Sequence, residues 1–444
     1  MSTDLLGNPA TFEDGEASRA ALDNFVEGFL ASEARAARIL DAADDPSPIV
    51  QACIAAVHMF AESAGAPAAA RPFLVRAQQE LGRVTSREQR FILGIAAWAE
   101  GDIARAIALH EQQAREHPRD LASLKLAHYH LFNRGDAPGM LRIALVALSS
   151  AADVPYLHGM LAFAWEQCHA LEQAEAAARR AMAMRRKEPW AHHALAHVML
   201  TQGRLQEGHA FLADVSETWT GLNSFMVTHN WWHQALFALE LDRGDEALRL
   251  YDERIWGVAR DYTQDQINAA SLLARLELAG VDVGDRWQDL AQELAQRTAD
   301  QVLPFLDMQY LLGLARAGRP EAATLLRNIE ARAARTDEDD RAWRDVCLPA
   351  SRGLLAWSRG DHAAALRELG QALPRLVEIG GSHAQRDLFA QVHLDAMVRT
   401  GHLQGAQNLL QSQLRAQPES RRLRRQAAAL YRSLGLADAE EAFL

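Results

Sequence analysis

From Arg19 to about Ala42 the apolar residues fall at Ala21, Phe25, Phe29, Leu30, Ala34, Ile39 and Leu40. Steps of three and four set such residues along one side of a helix, so this stretch is predicted helical. It ends at Asp44-Asp45-Pro46-Ser47-Pro48, because proline has no amide donor and disfavours helical geometry in the residue before it. A second helix is expected from about Ile49 to Ala64. Residues 1–17, broken by Gly7, Pro9 and Gly15 and carrying Asp4, Glu13, Asp14 and Glu16, read as an extended acidic lead-in.

Beyond this pair one pattern recurs: a helix, a tight turn usually at glycine, and a second helix with a small residue facing back. The turns stand at Gly65, Gly101, Gly135, Cys168-His169, Gly203, Gly244, Gly280, Gly318, Gly360, Gly401 and Gly435, at intervals of 36, 34, 34, 34, 41, 36, 38, 42, 41 and 34 residues. A 34-residue helix-turn-helix is the tetratricopeptide period. One helix pair cannot cover its own apolar face and must stack on the next. Ala106, Ala174 and Gly208, each five residues after its turn mark, let the helices approach closely. The longer intervals place loops near Asp214 to Ser224, Thr336 to Trp343 and Gly380 to Ser382, too short to fold alone. The expected fold is all-α: a right-handed α-solenoid of about ten or eleven such pairs. Its parts are the lead-in 1–17, an N-terminal helix pair 18–64 and a solenoid 65–444 continuous with it.

Composition agrees. In 444 residues, 49% of them hydrophobic, no run of alternating β-branched residues suggests a sheet. The net charge of −12 argues against nucleic acid as a partner, and the run Arg421-Arg422-Leu423-Arg424-Arg425 reads as a solvated helix face. Cys53, Cys168 and Cys347 are far apart, which suggests buried thiols and not a disulfide framework. No signal segment or membrane-length apolar run is present, so the expectation is a cytoplasmic chain with no membrane partner. No phosphate loop or dinucleotide fingerprint occurs, and no cofactor is expected. The apolar end Ala442-Phe443-Leu444, on a helix expected over Ala437 to Leu444, should pack on the preceding helices or on a second chain, which makes a homodimer possible.

The unusual polar residues fall on the helix before each turn, the A helix, which lines the inner face of such an array. His128 precedes Gly135, Glu166 precedes Cys168, and His193 and His197 precede Gly203. His229-Asn230-Trp231-Trp232-His233 precedes Gly244, and Gly380-Gly381-Ser382-His383-Ala384-Gln385-Arg386-Asp387 precedes Gly401. His193 and His197, like His229 and His233, stand one helical turn apart and share a face. That spacing suits two ligands of one metal, but no glutamate of the HExxH kind and no cysteine pair accompanies it, so no metal is expected. Adjacent tryptophans point about 100° apart on a helix, so one of Trp231 and Trp232 should line the groove while the other packs in the core. Ser382 is placed to cap a helix starting at His383. Arg386 could pair with Asp387 or reach across the array to an anion.

The phrases LKLAH at 124–128, HALAHV at 193–198, HNWWHQALF at 229–237, AASLLARLEL at 269–278 and GGSHAQRD at 380–387 resemble those of the tetratricopeptide repeat protein 38 family over nearly the whole chain. Leu200 stands where that family usually has glutamate, Asn268 where it has aspartate and Gln309 where it has histidine. The resemblance implies the repeat fold but no defined reaction.

Three functions are compatible with these residues. The first is a binding module whose concave pocket holds a small molecule or peptide against Trp231 or Trp232, with Asn230, Arg386, Asp387, Glu166 and His128 as further ligand-binding residues. The second is a cofactor-independent hydrolase or lyase using His193, His197, His229, His233 or His383 as general acid and base. The third is a protein-interaction scaffold.

Overall fold

The computed structural model describes residues 2–336 and 340–436. The helix expected over Ala437 to Leu444 lies outside the described residues, as does part of the loop expected at Thr336 to Trp343. The chain is an all-α helical-repeat solenoid, 76% helical. Among the described residues ten helix pairs run in order from α2 (Pro48–Met59) and α3 (Ala66–Gln79) to α20 (His383–Arg399) and α21 (Leu403–Ala416), with α1 (Gly15–Leu30) before them and α22 (Arg421–Ser433) after.

The turns explain the glycines. Gly101, Gly135, Gly203, Gly280, Gly318, Gly360 and Gly401 all have φ between 65° and 84°, the left-handed geometry that ends a helix and that a Cβ disfavours. Two turns are displaced from the expected glycine. At the Gly244 turn the left-handed residue is Asp242 (φ 60°), and Gly244 itself has no room for a side chain, since a Cβ there would stand 2.5 Å from Val281 Cγ2. At the Gly65 turn the left-handed residue is Glu62 (φ 49°). His169 (φ 61°) takes the glycine position of its turn.

The chain divides into two compact units. Unit 1 comprises the residues up to Leu195 with Glu217–Met226, and unit 2 comprises Ala196–Ser216 with the residues from Val227 onward. In unit 1 the lead-in is not simply extended. Ser2–Thr3 and Pro9–Ala10 pair as a two-stranded antiparallel ribbon, a departure from an all-helical expectation. Buried Asp4 closes it by accepting from the amides of Leu6 and Asn8, at 3.0 and 2.9 Å. The other Asp4 oxygen lies 3.1 Å from Arg87 Nη2, whose Nε donates to Asp120 at 2.7 Å. Two carboxylates thus flank a buried guanidinium, which ties the first residues into the array.

In unit 2 two of the A helices are covered on nearly all sides. Every residue of α14 (Thr263–Leu278) from Asp265 to Arg275 is buried, as is every residue of α16 (Pro304–Arg316) from Pro304 to Leu314. The B helices bury one stripe, as α17 (Glu321–Ala333) does with Ala322, Leu325, Ile329 and Ala333. Gly208 on α11 (Leu205–Val215) shows why small residues follow the turns, because a Cβ there would collide with the Phe237 ring. Single π-helical turns at Tyr251–Ile255 and Trp343–Cys347 absorb extra residues in the longer repeats.

Candidate functional site

Two neighbouring A helices of unit 2, α12 (Ser224–Glu240) and α14, bury polar side chains against each other. On α14 the residues Asn268, Ser271 and Arg275 follow at steps of three and four, so they share a face. On α12 the corresponding residues are His229, Trp232 and His233. The two rows meet at His229 Nδ1, 2.9 Å from Asn268 Oδ1, and at Arg275, whose guanidinium carbon lies 5.6 Å from the Trp232 ring centroid.

A chain of hydrogen bonds sets the protons. Thr228 Oγ1 donates to Asp265 Oδ1 at 3.1 Å and accepts from Asn268 Nδ2 at 3.4 Å. The Asn268 amide therefore presents its oxygen to His229, and Nδ1 of His229 must donate. Nε2 then carries the lone pair. Burial pushes the His229 pKa down to about 3, opposed by the Asn268 hydrogen bond and assisted by His197, so the ring is neutral at physiological pH.

The histidines cluster. The His197 ring, on α10 (Pro189–Thr201), lies 4.5 Å from that of His233, and His233 lies 4.9 Å from His229. Trp232 stacks on His229 at 5.2 Å and 9°, and meets His233 edge-on at 4.9 Å. His193 precedes His197 by one turn on α10, and in unit 1 its ring packs on Phe163 and Trp190, at 5.0 and 5.2 Å.

The two adjacent tryptophans are buried to different degrees. Trp232 is fully buried core yet borders the histidines, while half-buried Trp231 lies beneath Arg254, whose guanidinium carbon is 5.3 Å from its ring. Asn230 is also fully buried, with neither amide atom hydrogen-bonded among the described residues.

The Gly380–Asp387 segment behaves as a helix cap. Ser382 Oγ accepts from the Gln385 amide and Gln385 Oε1 accepts from the Ser382 amide, at 3.3 and 2.8 Å, a reciprocal box that starts α20. Arg386 reaches back to the turn before its own helix. It donates to the carbonyls of Gly380 and Gly381, locking its own turn, with exposed His383 3.4 Å away. Asp387 accepts from Gln391 at 2.5 Å and lies 3.7 Å from Arg275 Nη1. Arg275, which sequence reasoning passed over inside an apolar phrase, is what connects α12 to this segment. Its Nη2 also donates to the Ala384 carbonyl.

In unit 1, His128 is buried on α6 (Leu121–Asn133). Its Nε2 is 2.9 Å from the Met140 carbonyl, and burial lowers its pKa to about 4. Glu166 is fully buried and accepts from Gln167 at 2.5 Å. A cleft of about 560 Å³ in unit 2 lies elsewhere, at the turns around Asp242–Glu246 and Ala279–Val281, and none of the predicted site residues lines it.

No family model matches this chain. Among solved structures it is similar to the human IFIT1 dimer with PPP-AAAA, at 12% identity and a TM-score of 0.43, covering 95% of this chain and 93% of that one. It is also similar to Naa15/Naa10 bound to HypK-THB (13%, TM-score 0.26, 96% and 67%) and to the APC/C hetero-tetramer Cut9-Hcn1 (13%, TM-score 0.26, 97% and 93%). At these identities the likeness is one of fold. The exclusion of nucleic acid as a partner is corrected. The IFIT1 chains to which this one is similar were solved with PPP-AAAA, Gppp-AAAA and m7Gppp-AAAA, and the −12 total that suggested the exclusion says nothing about the local field a ligand meets. No helix among the described residues is long and apolar enough to cross a membrane.

Proposed function

We propose that this chain is a helical-repeat binding protein that holds an anionic group, a carboxylate or phosphate of a small molecule or peptide, between α12 and α14. One observation carries this reading. Trp232 Nε1 and Arg275 Nε and Nη1 are buried donors with no hydrogen-bond partner among the described residues. Indole and guanidinium nitrogens only donate, so the complement they require is an acceptor. The nearest carboxylate, Asp387, is 3.7 Å from Nη1, beyond hydrogen-bond length. Burial lowers the Arg275 pKa to about 10, with Asp387 as the main opposing charge, so the cation is only partly compensated. Ser271 Oγ, one turn from Arg275, and Asn230 add further buried polar atoms without partners.

Against the acid–base enzyme reading, a His229 ring held neutral down to about pH 3 does not exchange protons near neutrality. Against the scaffold reading, these groups are buried and not displayed. The HNWWH and GGSHAQRD phrases support membership of the tetratricopeptide repeat protein 38-like family. Asn268 can serve in place of the usual aspartate, since its amide oxygen accepts from His229 as a carboxylate would.

The test is a thermal-shift titration with succinate and with inorganic phosphate on the wild type, Arg275→Met and Arg275→Lys. Both anions stabilise many proteins by exclusion from the surface, so the diagnostic is a saturable rise in Tm that Arg275→Met abolishes and Arg275→Lys weakens. A wild type with no saturable response to either probe, or an Arg275→Met variant that keeps it, overturns the proposal.

A further inference from the structure

The geometry points to a transition-metal site in which His197 from α10 and His229 and His233 from α12 bind one divalent ion of the zinc, cobalt, nickel or copper class. In unit 2 these three buried imidazoles each offer a nitrogen within 4.8 Å of the others. Nitrogens bound tetrahedrally to one zinc at ~2.0–2.1 Å stand roughly 3.4 Å apart, so modest ring rotations bring them onto a common ion.

Three features suit the group. All three donors are imidazole nitrogens, which favour these metals over magnesium or calcium, whose preference is for oxygen. The His229 tautomer is already set for coordination, with Nδ1–H directed to Asn268 and the lone pair on Nε2. Outer hydrogen bonds of this kind orient a metal-bound histidine and raise its basicity, and here the chain runs on through Thr228 to the Asp265 carboxylate. The Trp232 face on one side of His229 gives that ring a rigid, apolar wall.

The sequence argued against a metal because it looked for ligands along one helix. This set draws on two, and His193, one turn before His197, shares a face of α10 with it. Three neutral imidazoles leave the charge of a divalent ion uncompensated, so its remaining position favours water, hydroxide or an anion. The site does not depend on the anion reading, because its ligands are not the donors that carry that reading.

The experiment uses the full chain, stripped of metal with a chelator and titrated with Co²⁺ under visible absorption, followed by Zn²⁺. The expected result is one equivalent of Co²⁺ per chain with the intense ligand-field bands of a low-coordinate nitrogen site, displaced by one equivalent of Zn²⁺. His233→Gln, which keeps the bulk of the side chain, should weaken binding at least tenfold, and Asn268→Ala by about tenfold or more. Exposed His402→Ala should bind as the wild type does, and circular dichroism establishes that each variant is folded. Absence of saturable Co²⁺ binding by the wild type, or undiminished binding by folded His233→Gln, overturns the inference. Arg275→Met should keep one equivalent of Co²⁺ while losing the anion response, so the two proposals fail separately.

Discussion

Asn268 Oδ1 lies 2.9 Å from His229 Nδ1 in a fully enclosed setting, and the Asn268 amide nitrogen is held by Thr228. The side chain is thus the joint between two A helices. Asn268→Leu has similar volume but removes the acceptor at His229 Nδ1 and the donor to Thr228 Oγ1. Losing buried hydrogen bonds of this kind costs about 1–3 kcal/mol, and urea unfolding should show a loss in that range.

The two adjacent tryptophans should respond unequally. Trp232 is fully buried, so Trp232→Ala should cost about 3–5 kcal/mol through lost burial and the cavity left behind. Trp231 is half-buried under Arg254, and Trp231→Ala should cost less than half as much by the same unfolding measurement. Equal losses would contradict this division of roles.

Ser382 serves as a helix cap and not as a nucleophile. Ser382→Ala should destabilise the protein by about 1 kcal/mol, and Ser382→Gly by only a few tenths. Neither should alter the response to Co²⁺ or to succinate.

Asp307 gives the protein a pH dependence of a particular sign. It is buried on α16, with Gln301 donating to it at 3.0 Å, and burial raises its pKa to about 8. Its folded-state pKa lies above the unfolded value, so its favourable contribution is complete below about pH 4 and is lost progressively as the pH rises to about 8. The wild type should lose stability on the order of 2 kcal/mol or more across that window from this group. Asp307→Asn should be flatter, and more stable than the wild type at pH 8. Thermal unfolding at pH 5, 6.5 and 8 measures the difference, and parallel curves for the two proteins would contradict it.

Periodicity settled the architecture, because a repeat writes the same local instructions many times. Apolar spacing, left-handed glycines and small residues at the close approaches each act over a few residues, so Gly101, Ala106 and Ser382 could be understood where they stand in the chain. The displaced turn at Gly244 was not legible. Asp242 can adopt the left-handed geometry, and the need for glycine two residues later comes from Val281, thirty-seven positions away.

The candidate site divides along the same line. One helical turn between His193 and His197, and between His229 and His233, was visible as shared faces within single helices. That His197 meets His233, that Asn268 sets the tautomer of His229, and that Arg275 lies against Trp232 and donates to the Ala384 carbonyl all depend on the register between separate helices. Register is decided by how side chains interlock along whole helix faces, a property of many residues at once. For that reason the sequence named the histidines, and Asn268 only as a departure from a family pattern, but neither Arg275 nor the contacts that give the histidines their chemical setting.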